Sequence, residues 1–347
     1  MAVTPTLPGV TPQTAVEADQ RRMARAVELA AGVRTSTSPN PWVGCVLVAA
    51  DGQVVEGATR PPGGPHAEVA ALAAAERAGI DPAGATAYVT LEPCSHHGRT
   101  PPCADALVAA GLARVVVGVL DPDPNVSGRG VARLRHAGVD VVTGVAADAV
   151  TDQLAPYLTH RATGRPYVVL KLAASLDGRT AAPDGSSRWI TGAAARADAH
   201  RLRAESDAVL VGAGTVRADD PELTVRHVPG RDPLRVVLGR APAGARVHPC
   251  LELSGDLGDV LDDLGGRGVL QVLVEGGAGV AGAFHRAGLV DAYVIYLAPV
   301  LFGGDDAAGL FSGAGAATMS DVWRGRISRV TPLGDDIRVD LHPVRRS

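Results

Sequence analysis

The chain has 347 residues, 46% of them apolar, and a formal net charge of -4, enough material for two ordinary hydrophobic cores. Lys and Arg are scattered with no basic block, which excludes an electrostatic footprint for nucleic acid and points to a small-molecule substrate. The N-terminus has no cationic start followed by an apolar core, and no run of about eighteen apolar residues is free of Gly, Pro and charge, so neither secretion nor membrane spanning is expected and the chain reads as cytoplasmic.

Residues 1–13, rich in Pro and Thr and without periodicity, read as a mobile tail. Apolar residues then recur at helical spacing over Gln20–Ala31 (Met23, Ala26, Val27, Ala30), with Gly32 placed to end the helix. A strand is predicted at Cys45–Ala50, a helix at His66–Ala78, a strand at Thr86–Leu91 and a helix at Ala104–Ala110. A strand at Arg114–Leu120, a helix at Gly130–Ala137 and a strand at Val139–Thr143 complete a domain over 14–146. Such alternation implies a mainly parallel sheet covered by helices. Residues 147–164, punctuated by Pro156 and Gly164, read as a linker. From 165 to 347 a second series follows: VVLKLAA, AVLVGAG, LRVVLG, VLQVLVEGG and AYVIYLAPVLFG as strands, AARADAHRLRAES and GVAGAFHRAG as helices. Both halves are therefore α/β, with different motifs and so different chemistries.

Four cysteines (Cys45, Cys94, Cys103, Cys250) in a chain of this length do not make a disulfide framework, so clustered ones read as metal or catalytic groups. His66-Ala67-Glu68, then Pro93-Cys94, then Cys103 is the strongest signal. One imidazole and two thiolates hold zinc with a fourth position open to water, the mark of a catalytic site, while Glu68 shuttles protons. Deamination needs that division of labour. His66 and Cys103 fall where loops feed predicted helices, and Cys94 follows a predicted strand, so the three can meet at one end of the sheet. A structural zinc site would need a fourth ligand from His96 or His97 and would leave Glu68 without a purpose. Cys45 and Cys250 read as packing residues.

In the second half no nucleophile, metal cluster or triad stands out, and hydride transfer requires none because the cofactor supplies the reactive group. Val274-Glu275-Gly276-Gly277-Ala278-Gly279 follows an apolar strand and opens a helix; it reads either as a phosphate-binding start of a helix or as a tight turn.

Eight residues separate the two cysteines, Cys94-Ser-His-His-Gly-Arg-Thr-Pro-Pro-Cys103. With Asn40-Pro41-Trp42-Val43-Gly44-Cys45, the run YVTLEPCSHHGRTPPC (Tyr88 to Cys103) and Gly128-Arg129-Gly130, this resembles the bifunctional riboflavin-biosynthesis deaminase/reductase family of bacteria. The resemblance covers nearly the whole chain after the tail. It implies a cytidine-deaminase-like three-layer α/β/α domain followed by a dihydrofolate-reductase-like α/β domain. By it, His66, Cys94 and Cys103 bind one Zn2+ and Glu68 is the proton donor, while Asn40 is either a substrate contact or a turn residue between prolines. His96 is placed to touch substrate, and Asp121-Pro-Asp-Pro-Asn125 reads first as a turn, with a site-lining role as the lesser alternative.

Carried over to the second half, the resemblance implies NADPH held by Ala173, Trp189, Thr215, Asp219 and the run Gly277, Ala278, Gly279, Val280, Ala281, Gly282, Ala283. Substrate contacts are Ser187, Arg203, Leu223, Arg226 and Glu275. Arg203 and Arg226 offer planar cationic forks for a ribose phosphate, against a reading as ordinary surface charge. Trp189 reads as a stacking surface or as a core residue; the role of Lys171 is open. Arg188 stands where the family often has lysine, and the stretch from Leu238 to Gly268 is shorter than usual. The implied activity is zinc-dependent deamination of 2,5-diamino-6-(5-phosphoribosylamino)pyrimidin-4(3H)-one, then NADPH-dependent reduction of the ribosyl group to ribityl, in a homodimer formed through the reductase half. The rival is a zinc deaminase of another base with a non-reducing C-terminal domain.

Overall fold

In the computed structural model, residues 12–95, 101–124 and 126–344 are described, and the chain divides into two compact units, Met1–Ala162 and Thr163–Ser347. The first comprises α1 (Pro12–Ala31), α2 (Arg34–Thr37), β1 (Gly44–Val48), β2 (Val54–Ala58), α3 (Ala67–Ala78), β3 (Thr86–Leu91), α4 (Cys103–Ala109), β4 (Arg114–Val119), α5 (Arg129–His136), β5 (Asp140–Thr143) and α6 (Ala147–Thr163). The expected tail lies outside the described residues up to residue 11, and the first helix begins at Pro12, earlier than its apolar period alone indicated.

The five strands run in the order β2-β1-β3-β4-β5. β3, β4 and β5 are parallel, whereas β1 is antiparallel to both β2 and β3, so the sheet is mixed rather than mainly parallel. Strand β2 escaped prediction because Val54-Val55-Glu56-Gly57-Ala58 is short, polar at its centre and largely outward-facing. Register fixes the layers. Gly44 pairs with Ala58, and Cys45 with Gly57, so Gly44 and Gly57 face opposite sides. A Cβ on Gly44 would stand 1.9 Å from the Ala26 carbonyl oxygen of α1, and one on Gly57 2.3 Å from that of Ala67 in α3. These two helices thus lie flush on opposite faces, giving three layers. On the α1 face, Asp19 accepts a hydrogen bond from the Tyr88 hydroxyl (2.9 Å) and a two-pronged pair from Arg114 (2.9 and 2.7 Å).

The segment expected as a linker, 147–164, is corrected by the structure to the helix α6. Val150, Leu154 and Tyr157 recur at helical spacing and are buried. The Trp42 indole donates to the Gln153 carbonyl (3.1 Å), which ties α6 to the loop before β1.

The second unit contains β6 (Tyr167–Ser175), β7 (Arg179–Ala181), α7 (Ala193–Ala204), β8 (Ala208–Gly212), α8 (Ala213–Asp219), β9 (Leu234–Leu238), β10 (Leu251–Leu253), α9 (Leu257–Gly266), β11 (Gln271–Val274), α10 (Ala278–Arg286), β12 (Ala292–Ala298), β13 (Ala308–Gly309), β14 (Gly325–Leu333) and β15 (Asp336–Pro343). Its eight-stranded sheet has the order β10-β9-β8-β11-β6-β12-β15-β14. Pairs from β10 to β12 are parallel; β15 and β14 join antiparallel. β8 and β11 are buried along their whole length, as unbroken apolar runs in a parallel sheet require. Leu170, Leu210, Val272, Val274 and Phe284 centre the core. No helix among the described residues is long and apolar enough to cross a membrane.

Candidate functional site

His66 is the residue before α3, Cys103 the first residue of α4, and Cys94 lies in the loop after β3, so three separate element ends deliver the donors. His66 Nδ1 stands 3.6 Å from Cys94 Sγ and 3.3 Å from Cys103 Sγ. Nitrogen and sulfur donors on one tetrahedral zinc lie about 3.5 Å apart, from bonds of about 2.0–2.1 and 2.3 Å. The three side chains therefore fit a single ion. The Cys103 N–H, at the start of α4, donates to Cys94 Sγ at 3.3 Å. Hydrogen bonds from Cys103 and His66 pull Cys94 down to about 4, so the thiolate is its favoured form.

Glu68, in the first turn of α3, is buried; desolvation, with the negative charge on Cys94, pushes its carboxyl up to about 7. A carboxyl poised there both takes and gives protons at neutral pH. His66, Glu68, Cys94 and Asn40 line one cavity of about 440 Å³.

Four backbone groups are gathered on Glu92, two residues before Cys94. It accepts from the N–H groups of Asp121 (3.3 Å), Gly128 (2.9 Å), Gly130 (2.9 Å) and Val131 (3.1 Å). One carboxylate thus pins the cysteine loop to the start of α5, which is what Gly128-Arg129-Gly130 does in this chain. Asp121 and Asp123 also line the cavity, the lesser of the two readings their segment carried from sequence. Asp121 accepts from the Tyr157 hydroxyl (3.0 Å), and the Arg161 guanidinium stands 5.2 Å over the Tyr157 ring, with Asp123 at 3.9 Å. Tyr157 and Arg161 both come from α6.

The second unit has a cleft of about 720 Å³. Glu275, at the end of β11, receives the Arg203 fork (Nε 2.5 Å, Nη2 3.0 Å), with Lys171 Nζ at 3.8 Å. Burial alone would raise Glu275; Arg203 and Lys171 overrule it and bring it to about 2. The Arg226 backbone N–H donates to His200 Nδ1 (3.0 Å), while its guanidinium uses Nη1 on Glu222 (2.6 Å) and Thr224 (2.8 Å). Gly277, at the start of α10, donates to the Thr215 hydroxyl (3.1 Å).

Known proteins divide the chain in the same way. The cytidine and deoxycytidylate deaminase zinc-binding region matches residues 16–119, and the RibD C-terminal domain matches residues 166–339. The riboflavin biosynthesis protein RibD of Escherichia coli is 41% identical over 93% of this chain and 99% of its own length; that of Mycobacterium tuberculosis is 42% identical over 94% and 98%. The chain belongs to the RibD family. A solved Acinetobacter baumannii RibD superposes with a TM-score of 0.87 at 42% identity, covering 95% of this chain and all of its own. A Thermotoga maritima diaminohydroxyphosphoribosylaminopyrimidine deaminase/5-amino-6-(5-phosphoribosylamino)uracil reductase does so with 0.88 at 35% identity, over the same shares. The chain is thus an enzyme of riboflavin biosynthesis that joins a zinc deaminase to a reductase, with the two α/β domains expected from its sequence.

Within this RibD chain, Ala173, Ser187, Trp189, Arg203, Thr215, Asp219, Leu223, Arg226 and Glu275 all line the second cleft. Trp189 is 71% exposed, which rules out the core reading. The Arg203 fork is spent on Glu275 and is not offered to a phosphate. Ala281 is fully buried in the core, and Gly282 packs against the Ser312 backbone, so helix packing accounts for these two positions. His96 and His97 lie outside the described residues. Sequence reading missed Glu92, Tyr157 and Arg161; the spacing of Val150, Leu154 and Tyr157 was the available sign of α6, obscured by Pro156.

Proposed function

We propose that the first unit replaces the 2-amino group of 2,5-diamino-6-(5-phosphoribosylamino)pyrimidin-4(3H)-one and releases ammonia. The second unit then uses NADPH to reduce the ribosyl group of 5-amino-6-(5-phosphoribosylamino)uracil to ribityl. What carries the first step is the set of three donors at single-ion separations with a buried carboxylate in the same cavity. A zinc ion held by His66, Cys94 and Cys103 supplies the Lewis acidity that makes water nucleophilic at neutral pH. Glu68 takes one proton from the attacking water and passes it to the ring nitrogen, then takes the hydroxyl proton of the tetrahedral adduct and passes it to the amine that leaves as ammonia. Asn40 orients the pyrimidine, and Arg161, the one Arg or Lys among the described residues lining the cavity, receives the substrate phosphate.

In the second cleft Trp189, Ala173, Thr215 and Asp219 hold NADPH, with the start of α10 from Gly277 to Val280 facing its phosphates. Ser187, Leu223 and Arg226 hold the substrate, and the Arg203–Glu275 pair, with Lys171, orients it. Arg226 keeps Nε and Nη2 for the phosphate. The reductase half also forms a homodimer: on terminal strand β14, Ile327 and Val330 are more than half exposed. Sedimentation of Ile327→Asp/Val330→Asp checks this, with monomers expected.

The test of the whole reading is purified protein incubated with the diaminopyrimidine phosphate, following ammonia release and NADPH oxidation separately. Both signals are expected, in that order. Ammonia from another base, with no NADPH oxidised, returns the chain to a deaminase with a non-reducing second domain.

A further inference from the structure

Cys250 reads from the sequence as a packing residue, and its environment says more. Among the described residues, only two sets of His, Cys or carboxylate side chains bring three donor atoms within 4.8 Å of one another: the zinc set of the first unit, and His248, Cys250 and Glu252 in the second. These three lie within five residues of chain, His248 and Cys250 in the segment that leads into β10 and Glu252 within it, and β10 is the edge strand of the eight-stranded sheet.

The donor geometry matches that of the deaminase site. His248 Nδ1 lies 3.5 Å from Cys250 Sγ, the separation of about 3.5 Å that a nitrogen and a sulfur keep on one tetrahedral zinc. His248 Nε2 stands 3.1 Å from the Pro242 carbonyl oxygen. A carbonyl only accepts, so Nε2 carries the proton and the Nδ1 lone pair is left turned to the sulfur, the arrangement found in ligating histidines. Glu252 Oε1 accepts the Ala241 N–H (2.9 Å), which fixes the carboxylate and leaves Oε2 for a ligand. His248 and Glu252 are exposed and Cys250 is half-buried, so an ion and its water reach them. Imidazole, thiolate and carboxylate together suit a borderline ion such as Zn2+ or Co2+ and disfavour Mg2+ and Ca2+, which take oxygen donors.

We propose that His248, Cys250 and Glu252 form a second transition-metal site, on the edge of the reductase sheet, which takes one Zn2+ with solvent completing its shell. Nothing in it depends on the deaminase reading. Its test uses the full chain, stripped by chelator, kept reduced, and titrated with Zn2+ against a chromophoric indicator. Wild type takes up a second equivalent beyond that of the deaminase site. His248→Ala/Cys250→Ser loses the second equivalent while keeping the first and its ammonia release, which also reports that the variant is folded. Cys103→Ser disrupts the first site and keeps the second. In that background Co2+ gives a thiolate charge-transfer band that disappears when both Cys94 and Cys250 are replaced and survives replacement of Cys94 alone. One equivalent in wild type, or a second equivalent that survives His248→Ala/Cys250→Ser, overturns the proposal.

Discussion

The two sites of this chain hold their chemistry in different places. On the proposed mechanism the first unit's reaction depends on four side chains, His66, Glu68, Cys94 and Cys103, which the starts of two helices and the loop after one strand bring together. In the second, the cleft is lined by ion pairs and an exposed indole, and the hydride comes from a bound nucleotide. Loss of a side chain in the first site therefore removes the reaction. Loss of one in the second removes positioning and leaves the reactive group intact.

Glu68→Gln is the sharpest way to break that contrast. The variant keeps the shape and burial of Glu68 but loses the titrating group, so ammonia release should fall by roughly 10²–10⁴-fold, with zinc content and NADPH oxidation on supplied deaminated substrate unchanged. Retention of the original rate would move the proton transfer to another residue and remove the distinction between the sites. Glu275→Gln tests the other side. Its side chain is 8% exposed and paired with an Arg203 side chain that is 14% exposed; leaving that guanidinium without its anion costs about 3 kcal/mol. Denaturant unfolding of the second unit should show the loss alongside weaker reduction, whereas deamination stays. Stability equal to wild type would mean that solvent compensates the Arg203 guanidinium and that the pair adds nothing to the fold. Arg161→Met is a smaller change. Losing one charge-assisted hydrogen bond to a phosphate is worth about 1.5 kcal/mol, or about tenfold, and should appear in the deaminase KM with kcat nearly constant.

How much of this was legible follows from the same contrast. Side-chain chemistry leaves a spaced signature: His66-Ala-Glu68 and the two later cysteines pointed to one zinc-binding cluster before any fold was known, and the structure brings His66, Cys94 and Cys103 together. The carboxylate that holds their loop left none, because Glu92 acts through the backbone N–H groups of residues 29 to 39 positions away, and such partners have no side-chain identity to read. Strands buried on both faces, such as β8 and β11, were legible as apolar runs. The antiparallel β14–β15 hairpin was not: β14 is exposed over most of its length, and its alternation of Ile327, Arg329 and Val330 is broken by a bulge. In the cleft, resemblance picked out nine of the lining residues but not their pairing, and the run from Gly277 to Ala283 is not among the residues that line it. That Arg203 of α7 turns to Glu275, at the end of β11, is a pairing across 72 positions of sequence that neither segment signals by itself.

His200 gives the smallest effect and the finest test of positioning. Burial, with Arg203, Arg226 and His227 adding like charge and Glu275 opposing them, lowers His200 to about 4. The neutral ring accepts the Arg226 N–H through Nδ1 and so fixes the backbone that carries the guanidinium proposed to hold the phosphate. A group whose folded pKa lies below its unfolded value near 6.5 is protonated first in the unfolded chain, so its contribution is complete above about 6.5 and declines as pH falls toward 4. Within that window wild type should lose stability in the second unit, and its reductase KM should rise, more steeply than in His200→Asn, whose amide oxygen can accept the same N–H without titrating. The deaminase does not share this residue, and its KM should follow the same pH course in both proteins. Parallel stability and reductase KM profiles for wild type and His200→Asn would remove His200 from the positioning of Arg226.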